Sequence, residues 1–376
     1  MAEAHIREKS SKLSSCDAYF EMVQSKRKLS HKLQDSLTAA FAKIPVSSFP
    51  RVPGGKVIEI DAETLIRDAV EILSESNILS APVMDSAVQD SNDGRERYLG
   101  ILDYSAIVLW VLENAETEAA ALSANSIAVA GTSVTAAGAL GALAMSATAC
   151  CCWPNCCCSW CSRGRWRGCW KWVRSIVESY HWAPFIPVTT DSSMLSVLLL
   201  VSKYRLRSVP VIETGKPFIK NLITQSDVIQ GLEECKGRDW LDGISALPIS
   251  DLGLPYMSSD EVISIQSDEL ILEAFKKMRD NNIGGLPVVQ GPKRKIVGNV
   301  SLRDIRFLLP KPELFSNFSK VATPITCRND STLCNVIDIL VSKSVHRIYV
   351  TTGEDDEVVG VITPRDVISC FIFEPP

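Results

Sequence analysis

Histidine is scarce: the 376 residues hold four, His5, His31, His181 and His346, and none stands in an H-E-x-x-H pair. The chain also lacks a Walker A phosphate loop, a G-x-S-x-G nucleophile turn and the signature set of a kinase. No catalytic triad can be nominated, so the expectation is a protein with no catalytic residues. Excess positive charge is missing too. The formal net charge is -5, whereas non-specific binding to a phosphate backbone needs a basic face. Nucleic acid is thereby excluded as the main partner, and local basic pockets remain compatible. The first ten residues, Met1 to Ser10, mix charges without an apolar run of signal-peptide type; the expected location is cytoplasmic, and nuclear as well. An evenly spaced cysteine framework is absent: of 13 cysteines, eight crowd between Cys150 and Cys169. The others, Cys16, Cys235, Cys327, Cys334 and Cys370, read as reduced thiols. What remains, 46% hydrophobic residues in a chain of this length, is enough for the cores of two ordinary domains.

The longest absence is internal. From Ala119 to Ser162 there is no charged residue, first in an Ala/Gly/Ser tract and then in a Cys/Trp tract. A membrane-spanning helix would need roughly 18 to 20 apolar residues, and length is available, but Ala, Gly, Ser and Thr insert weakly. Cys158-x-x-Cys161 has a metal-ligand spacing, yet contiguous Cys triplets do not match paired knuckles and no His follows at finger spacing. The reading adopted is a low-complexity linker, with neither metal nor membrane as partner. Its composition has a simple source. Alanine codons read in a shifted frame give runs of Cys, and GC-rich DNA out of frame gives Trp, Arg and Gly. The stretch after Ala149 reads as such a shifted or misspliced sequel, with the normal frame resuming near Val173.

What is present is a repeat. Gly360-Val-Ile-Thr-Pro-Arg-Asp-Val-Ile368 returns as Asn221-Leu-Ile-Thr-Gln-Ser-Asp-Val-Ile229, as Gly298-Asn-Val-Ser-Leu-Arg-Asp-Ile305 and, more worn, as Gly100-Ile-Leu-Asp-Tyr-Ser-Ala-Ile107. In each, a buried-strand pattern runs into Thr, Ser or Asp, the expected N-cap of a helix. A second strand precedes each copy, at Asn77–Met84, Arg205–Ile212, Asn282–Val289 and Ser344–Val350. An amphipathic helix lies before it, clearest at Leu270–Met278 and Leu333–Leu340. The unit is helix, strand, strand, helix, and one unit cannot bury its own sheet face. Aligned positions fall 121, 77 and 62 residues apart, which places an insertion between the first two units. The expected division is a mobile lead-in 1–36, repeats at 37–112, 179–235, 261–312 and 318–376, an insertion 113–178 and an inter-module linker 236–260.

These residues resemble the cystathionine-β-synthase (CBS) domain, whose repeats pair into Bateman modules. Four in a row, with Ser344-Val-His-Arg-Ile-Tyr-Val350 in the last, resemble the γ regulatory subunits of the SNF1/AMP-activated kinase family. Trp182-Ala-Pro-Phe185 and Gly298-Asn-Val-Ser-Leu-Arg-Asp304 are closest to its plant members. The resemblance implies an α/β fold of four CBS repeats in two modules. It also implies a non-catalytic energy sensor binding AMP, ADP or ATP between repeats, with a kinase catalytic α-type subunit and a β-type subunit as partners. Ribose binding would fall to Asp227, Asp304 and Asp366, with Thr224, Ser301 and Thr363 beside them. A carboxylate suits this because it accepts two hydroxyl donors. The same pairs read as helix capping boxes, and the two roles can coexist. Repeat one has Ala106 in place of the acid. Phosphate contacts would fall to His346 and Arg347, to Arg205 and Arg207, and at lower rank to Lys203 and Arg303, so repeat four is the best furnished. The alternative is a free-standing CBS-pair sensor of an adenosyl ligand that regulates another enzyme or a membrane protein.

Deleting Ala119 to Trp172 should leave a soluble chain that unfolds cooperatively, because long surface loops cost little closure entropy. Urea unfolding followed by circular dichroism checks this, and loss of a cooperative transition would make the segment structural.

Overall fold

The computed structural model describes residues 19, 21–26, 29–52, 55–88, 96–126, 172–180, 183–216, 218–308 and 322–372. The cysteine tract Cys150–Cys169, most of the lead-in and His5 and His181 lie outside them. Four α/β units are present, each opening with a two-residue strand that the sequence pattern is too short to reveal. In repeat one, β1 (Ile60–Asp61) leads through α1 (Ile66–Glu75) to β2 (Ser80–Met84), which pairs parallel with β1 and antiparallel with β3 (Tyr98–Asp103). The helix α2 (Tyr104–Ser126) follows without a break. It runs beyond Leu112 into the span expected as insertion, and α3 (Val173–Tyr180) from the far end of that span is also part of the fold. Val173 and Ile176 are fully buried, and Arg174 clamps α3 to Asp85 with two bonds of 2.9 and 2.8 Å.

Repeat two holds β4 (Val188–Thr189), α4 (Met194–Ser202), β5 (Ser208–Ile212), β6 (Ile219–Thr224) and α5 (Gln225–Glu233). Repeat three holds β7 (Ile265–Gln266), α6 (Ile271–Asp280), β8 (Gly285–Gln290), β9 (Lys295–Ser301) and the short α7 (Ile305–Leu308). Repeat four holds β10 (Thr326–Cys327), α8 (Leu333–Ser342), β11 (Ile348–Thr352), β12 (Glu357–Ile362) and α9 (Pro364–Ser369). Between helix and central strand every unit turns through one left-handed residue: Asn77, Arg205, Asn282 and Ser344, with φ of 54, 59, 51 and 49°. Two of the four are asparagine, the non-glycine residue best suited to that conformation.

Each sheet has two faces to cover, and the solutions differ. On the strand side repeat one meets repeat two through Val57, Tyr98, Ile219 and Leu222. Repeat three meets repeat four through Val262, Val289, Ile296, Tyr349 and Val358, and β9 and β12 join the two into one six-stranded sheet. On the helix side the partners change. One core joins repeats one and three, and the other joins repeats two and four. The N-terminal helix His31–Lys43 and the linker helix Asp239–Ser245 close the second core, with Trp240 edge-on to Phe41 and to Phe371.

Extended segments lock the strand-side pairs. The chain entering each repeat first crosses the last strand of its partner. Ala183 accepts from the Ile101 amide, Ala322 from the Asn299 amide, and Pro50 and Val52 bracket the Asn221 side chain. In repeat four Pro255 lies so close to β12 that a Cβ on Gly360 would stand 2.2 Å from the proline ring.

Gly360→Ala should therefore destabilise the protein by about 1–3 kcal/mol, since the rigid ring must lift away. Gly231→Ala, inside α5 and with open space around it, should stabilise by about 0.5–1 kcal/mol. Opposite shifts in the denaturation midpoint check the pair.

Candidate functional site

Three of the four final helices begin with the same device. The amide and hydroxyl of the cap residue both donate to Oδ2 of the acid three positions on. The distances are 2.7 and 2.8 Å for Thr224 on Asp227, 2.7 and 3.0 Å for Ser301 on Asp304, and 2.8 and 2.6 Å for Thr363 on Asp366. The capping box is thus real in all three, and it uses one carboxylate oxygen. The other oxygen distinguishes them. For Asp227 and Asp304, Oδ1 carries no hydrogen bond among the described residues. For Asp366 it accepts from the Tyr19 hydroxyl at 2.7 Å, and the residue is buried.

Repeat one inverts the arrangement. Ala106 stands where the acid would be, and the acid has moved to the cap: Asp103 Oδ1 accepts from the Ala106 amide at 3.0 Å. Its Oδ2 takes Arg207 of repeat two at 2.9 Å, and Ser105 accepts from the same guanidinium. A cavity of about 240 Å³ opens here, lined by Tyr98, Gly100, Ala106, Ala183, Pro184 and Phe185. This cavity lies beside the one helix start that carries no acid at the ribose position.

The cations gather where the four repeats meet. His346 Nδ1 lies 3.3 Å from the Ser226 hydroxyl, next to Asp227. The Arg347 guanidinium lies across Gly285, where a Cβ would come within 2.0 Å of it, and Gly285 is the register partner of Ser301, the cap of Asp304. The two bare glycines of repeat three are therefore what lets a repeat-four arginine in. Arg207 reaches the same glycine pair, 3.9 Å from a Cβ placed on Gly284. Burial first, then the charges of Arg347, Arg303 and Arg207, push the His346 pKa down to about 4, so the imidazole is neutral near pH 7. In sequence His346 and Arg347 share a repeat with Asp366; in space they stand beside Asp227 and Asp304.

Two expected phosphate contacts are not in this group. Arg205 is the exposed left-handed residue of its turn. The Lys203 ammonium lies 5.9 Å over the ring of Tyr204, and its carbonyl accepts from Arg365 at 3.5 Å. Arg303 does join the group; burial lowers its pKa, its Nε is buried without a hydrogen-bond partner among the described residues, and it donates to Asn77 of repeat one. Sequence reasoning missed Asp103, Ser226, Arg365 and Tyr19. Ser105, Ser226, Arg303 and Arg365 occupy one position of the repeat, two after the cap, and each contacts a neighbouring repeat. Aligning the repeats by that position would have found them; nothing local marks Tyr19.

Among the described residues no cluster suits a metal ion, and no helix is long and apolar enough to cross a membrane. The CBS domain family matches at residues 51–113, 177–234, 249–311 and 319–372. A SNF1-related protein kinase regulatory subunit gamma-1-like protein of Arabidopsis thaliana is 55% identical, across 98% of this chain and 94% of the relative. The gamma-1 subunit of the same plant is 34% identical over 91% of this chain and 84% of its own length. A crystal structure from Methanocaldococcus jannaschii, described as an archaeal homologue of γ-AMPK, superposes with a TM-score of 0.57 at 17% identity, covering 86% of this chain and all of the other, which shows the shared fold. With four CBS repeats in place and near full-length identity to such a subunit, the chain belongs to the CBS-domain family of γ-type regulatory subunits of SNF1-related protein kinases.

Proposed function

We propose that this subunit binds an adenine nucleotide, AMP, ADP or ATP, in the clefts of repeats two and three, has no catalytic step of its own, and regulates a kinase catalytic α-type subunit assembled with a β-type subunit. The observation that carries the reading is Asp304. Its Oδ2 is committed to the helix cap, its Oδ1 carries no hydrogen bond among the described residues, and the Arg347 guanidinium lies over Gly285, the register partner of the cap Ser301. A carboxylate oxygen with two lone pairs accepts both hydroxyls of a ribose diol. Arg347, Arg303 and Arg207 then offer the phosphates a planar, charged donor set. Asp227, with Ser226 and His346 beside it, repeats the arrangement in weaker form. Regulation follows from linkage: the nucleotide shifts the kinase complex toward whichever arrangement binds it better, by that difference in affinity and no more.

Asp304→Asn keeps one acceptor for the cap and loses the charged acceptor for the diol. It should weaken AMP binding by about 1.5–3 kcal/mol, roughly ten- to a hundredfold, with a stability loss of about 1 kcal/mol or less. Calorimetry with AMP, ADP and ATP checks it; wild-type affinity for all three in both Asp304→Asn and Asp227→Asn would leave these acids as caps alone.

A phosphate beside His346 favours the imidazolium that the arginines otherwise suppress. Binding should draw in a proton, and AMP affinity should rise as pH falls through the raised pKa of the bound imidazole toward the ligand-free value of about 4. Without ligand the effect on stability has the opposite sense. The folded-state pKa of about 4 lies below the model-peptide value of 6.5, so the unfolded chain takes the proton first. This contribution is complete above pH 6.5 and is lost progressively as pH falls toward 4. His346→Gln should flatten both dependences, and an unchanged pH slope of AMP binding would remove His346 from the site.

A further inference from the structure

Residue 19 and the helical residues 21–26 precede the repeats in sequence and lie on the last of them. Their contacts fall on the start of the final helix of repeat four and on the extended segment that crosses β12. On the helix side, the Tyr19 hydroxyl donates to Asp366 Oδ1 at 2.7 Å, the oxygen that the cap leaves over. The Tyr19 ring is stacked under the Arg365 guanidinium, with Cζ 3.5 Å from the ring centroid. On the opposite side, the Lys26 ammonium donates to the carbonyl of Tyr256, the residue after the proline that crosses β12. Val23, between the two contacts, is fully buried and belongs to the core shared by repeats two and four.

The chemistry of the contact matches what the other clefts leave open. Asp227 and Asp304 present the same oxygen, in the same cap geometry, without a protein donor among the described residues. In repeat four a hydroxyl attached to a flat aromatic ring occupies it, with a second hydrogen bond on the strand side of the cleft. Burial, and then the charge of Asp366, raise the pKa of the phenol well above its ordinary value, so the proton it donates stays in place.

We propose that residues 19–26 are an internal plug of the repeat-four nucleotide cleft, in which the Tyr19 hydroxyl stands on Asp366 in place of a ribose hydroxyl and must leave before a nucleotide enters. The proposal rests on the nucleotide reading above. Its consequence is a ranked set of sites: repeats two and three are open, while repeat four has an affinity lowered by the fraction of time the plug is in place. Occupancy of repeat four is then coupled to release of the N-terminal segment, and that coupling is reciprocal. A ligand that fills the cleft frees the segment, and anything that captures the segment opens the cleft.

The test uses the full chain and AMP as probe. Tyr19→Phe removes the donor and keeps the ring in the core, so the fold is preserved; Tyr19→Ala serves as the stronger variant, and thermal unfolding confirms that each still unfolds cooperatively. Calorimetry should show Tyr19→Phe gaining one AMP site, or tightening the weakest one by about tenfold, the cost of a lost charge-assisted hydrogen bond. Adding Asp366→Asn to Tyr19→Phe should abolish that gain. In the wild type, saturating AMP should increase amide exchange across residues 21–26. Unchanged AMP stoichiometry and affinities in both Tyr19 variants would overturn the plug, as would a segment that stays protected at saturating AMP. If Asp304→Asn loses AMP in that same series while the Tyr19 variants change nothing, the plug alone falls. If no variant binds AMP, the plug and the nucleotide reading fall together.

Discussion

A carboxylate has two oxygens, and the arrangement of this molecule follows from dividing them. In Asp227, Asp304 and Asp366 one oxygen gathers the amide and hydroxyl of the residue that starts the final helix. That bond is local, fixed by a three-residue spacing, and is made whether or not a ligand is present. It also aims the second oxygen outward at a helix start, where backbone N–H groups and the helix dipole favour an anionic or hydroxyl-rich guest. On the proposed function, stability and recognition would be carried by different atoms of one side chain. The repeats then differ in what meets the second oxygen: no partner among the described residues in two of them, a tyrosine in the last, and in the first a relocated acid that binds an arginine.

The cations are distributed by a different rule, because the repeats have different partners on their strand and helix sides. This two-by-two contact scheme brings residues that lead into central strands, and one residue of a helix start, to one point. His346 and Arg347 from repeat four, Arg207 from repeat two and Arg303 from repeat three meet there, while repeat three contributes only glycine at its strand entry. The absence is functional in the packing sense. A side chain at Gly285 would occupy the volume of the Arg347 guanidinium, so one repeat's lack of a cation is the condition for another's placement.

Much of this was legible in the sequence because it is local. The capping boxes, the amphipathic helices and the strand pairs each lie within ten residues, and four copies of one pattern announce themselves. The two-residue opening strands were not legible, since alternation needs a longer run to show. Nor was the approach of His346 to Ser226, next to Asp227, which depends on a helix-side contact between repeats two and four that no spacing encodes. Arg205 and Arg207 were expected together as the cations of repeat two; the backbone turns left-handed at Arg205, which is exposed, while Arg207 reaches Asp103. The relocated acid of repeat one was visible as the letter at position 103, but its meaning required seeing Arg207 reach it. Tyr19 lies in a polar lead-in with no periodicity, and only the three-dimensional return of the chain onto repeat four gives it a role.

The centre of the molecule is held in electrostatic tension. Depressing a histidine from 6.5 to about 4 corresponds to roughly 3 kcal/mol against its charged form before solvent screening, in a place where three arginines must remain charged. Part of that tension is already relieved internally, since Asp103 neutralises one side of Arg207. The rest has no counter-charge of its own at the half-buried Arg347 among the described residues, and desolvating a cation without a partner is costly. An anion arriving there removes repulsion between side chains donated by three different repeats. On the proposed function, part of that ligand's binding energy would come from the junction of the two modules as well as from the cleft it fills. A ligand placed so can shift how the modules sit against each other, which is the physical requirement for a small molecule to be felt by a large partner.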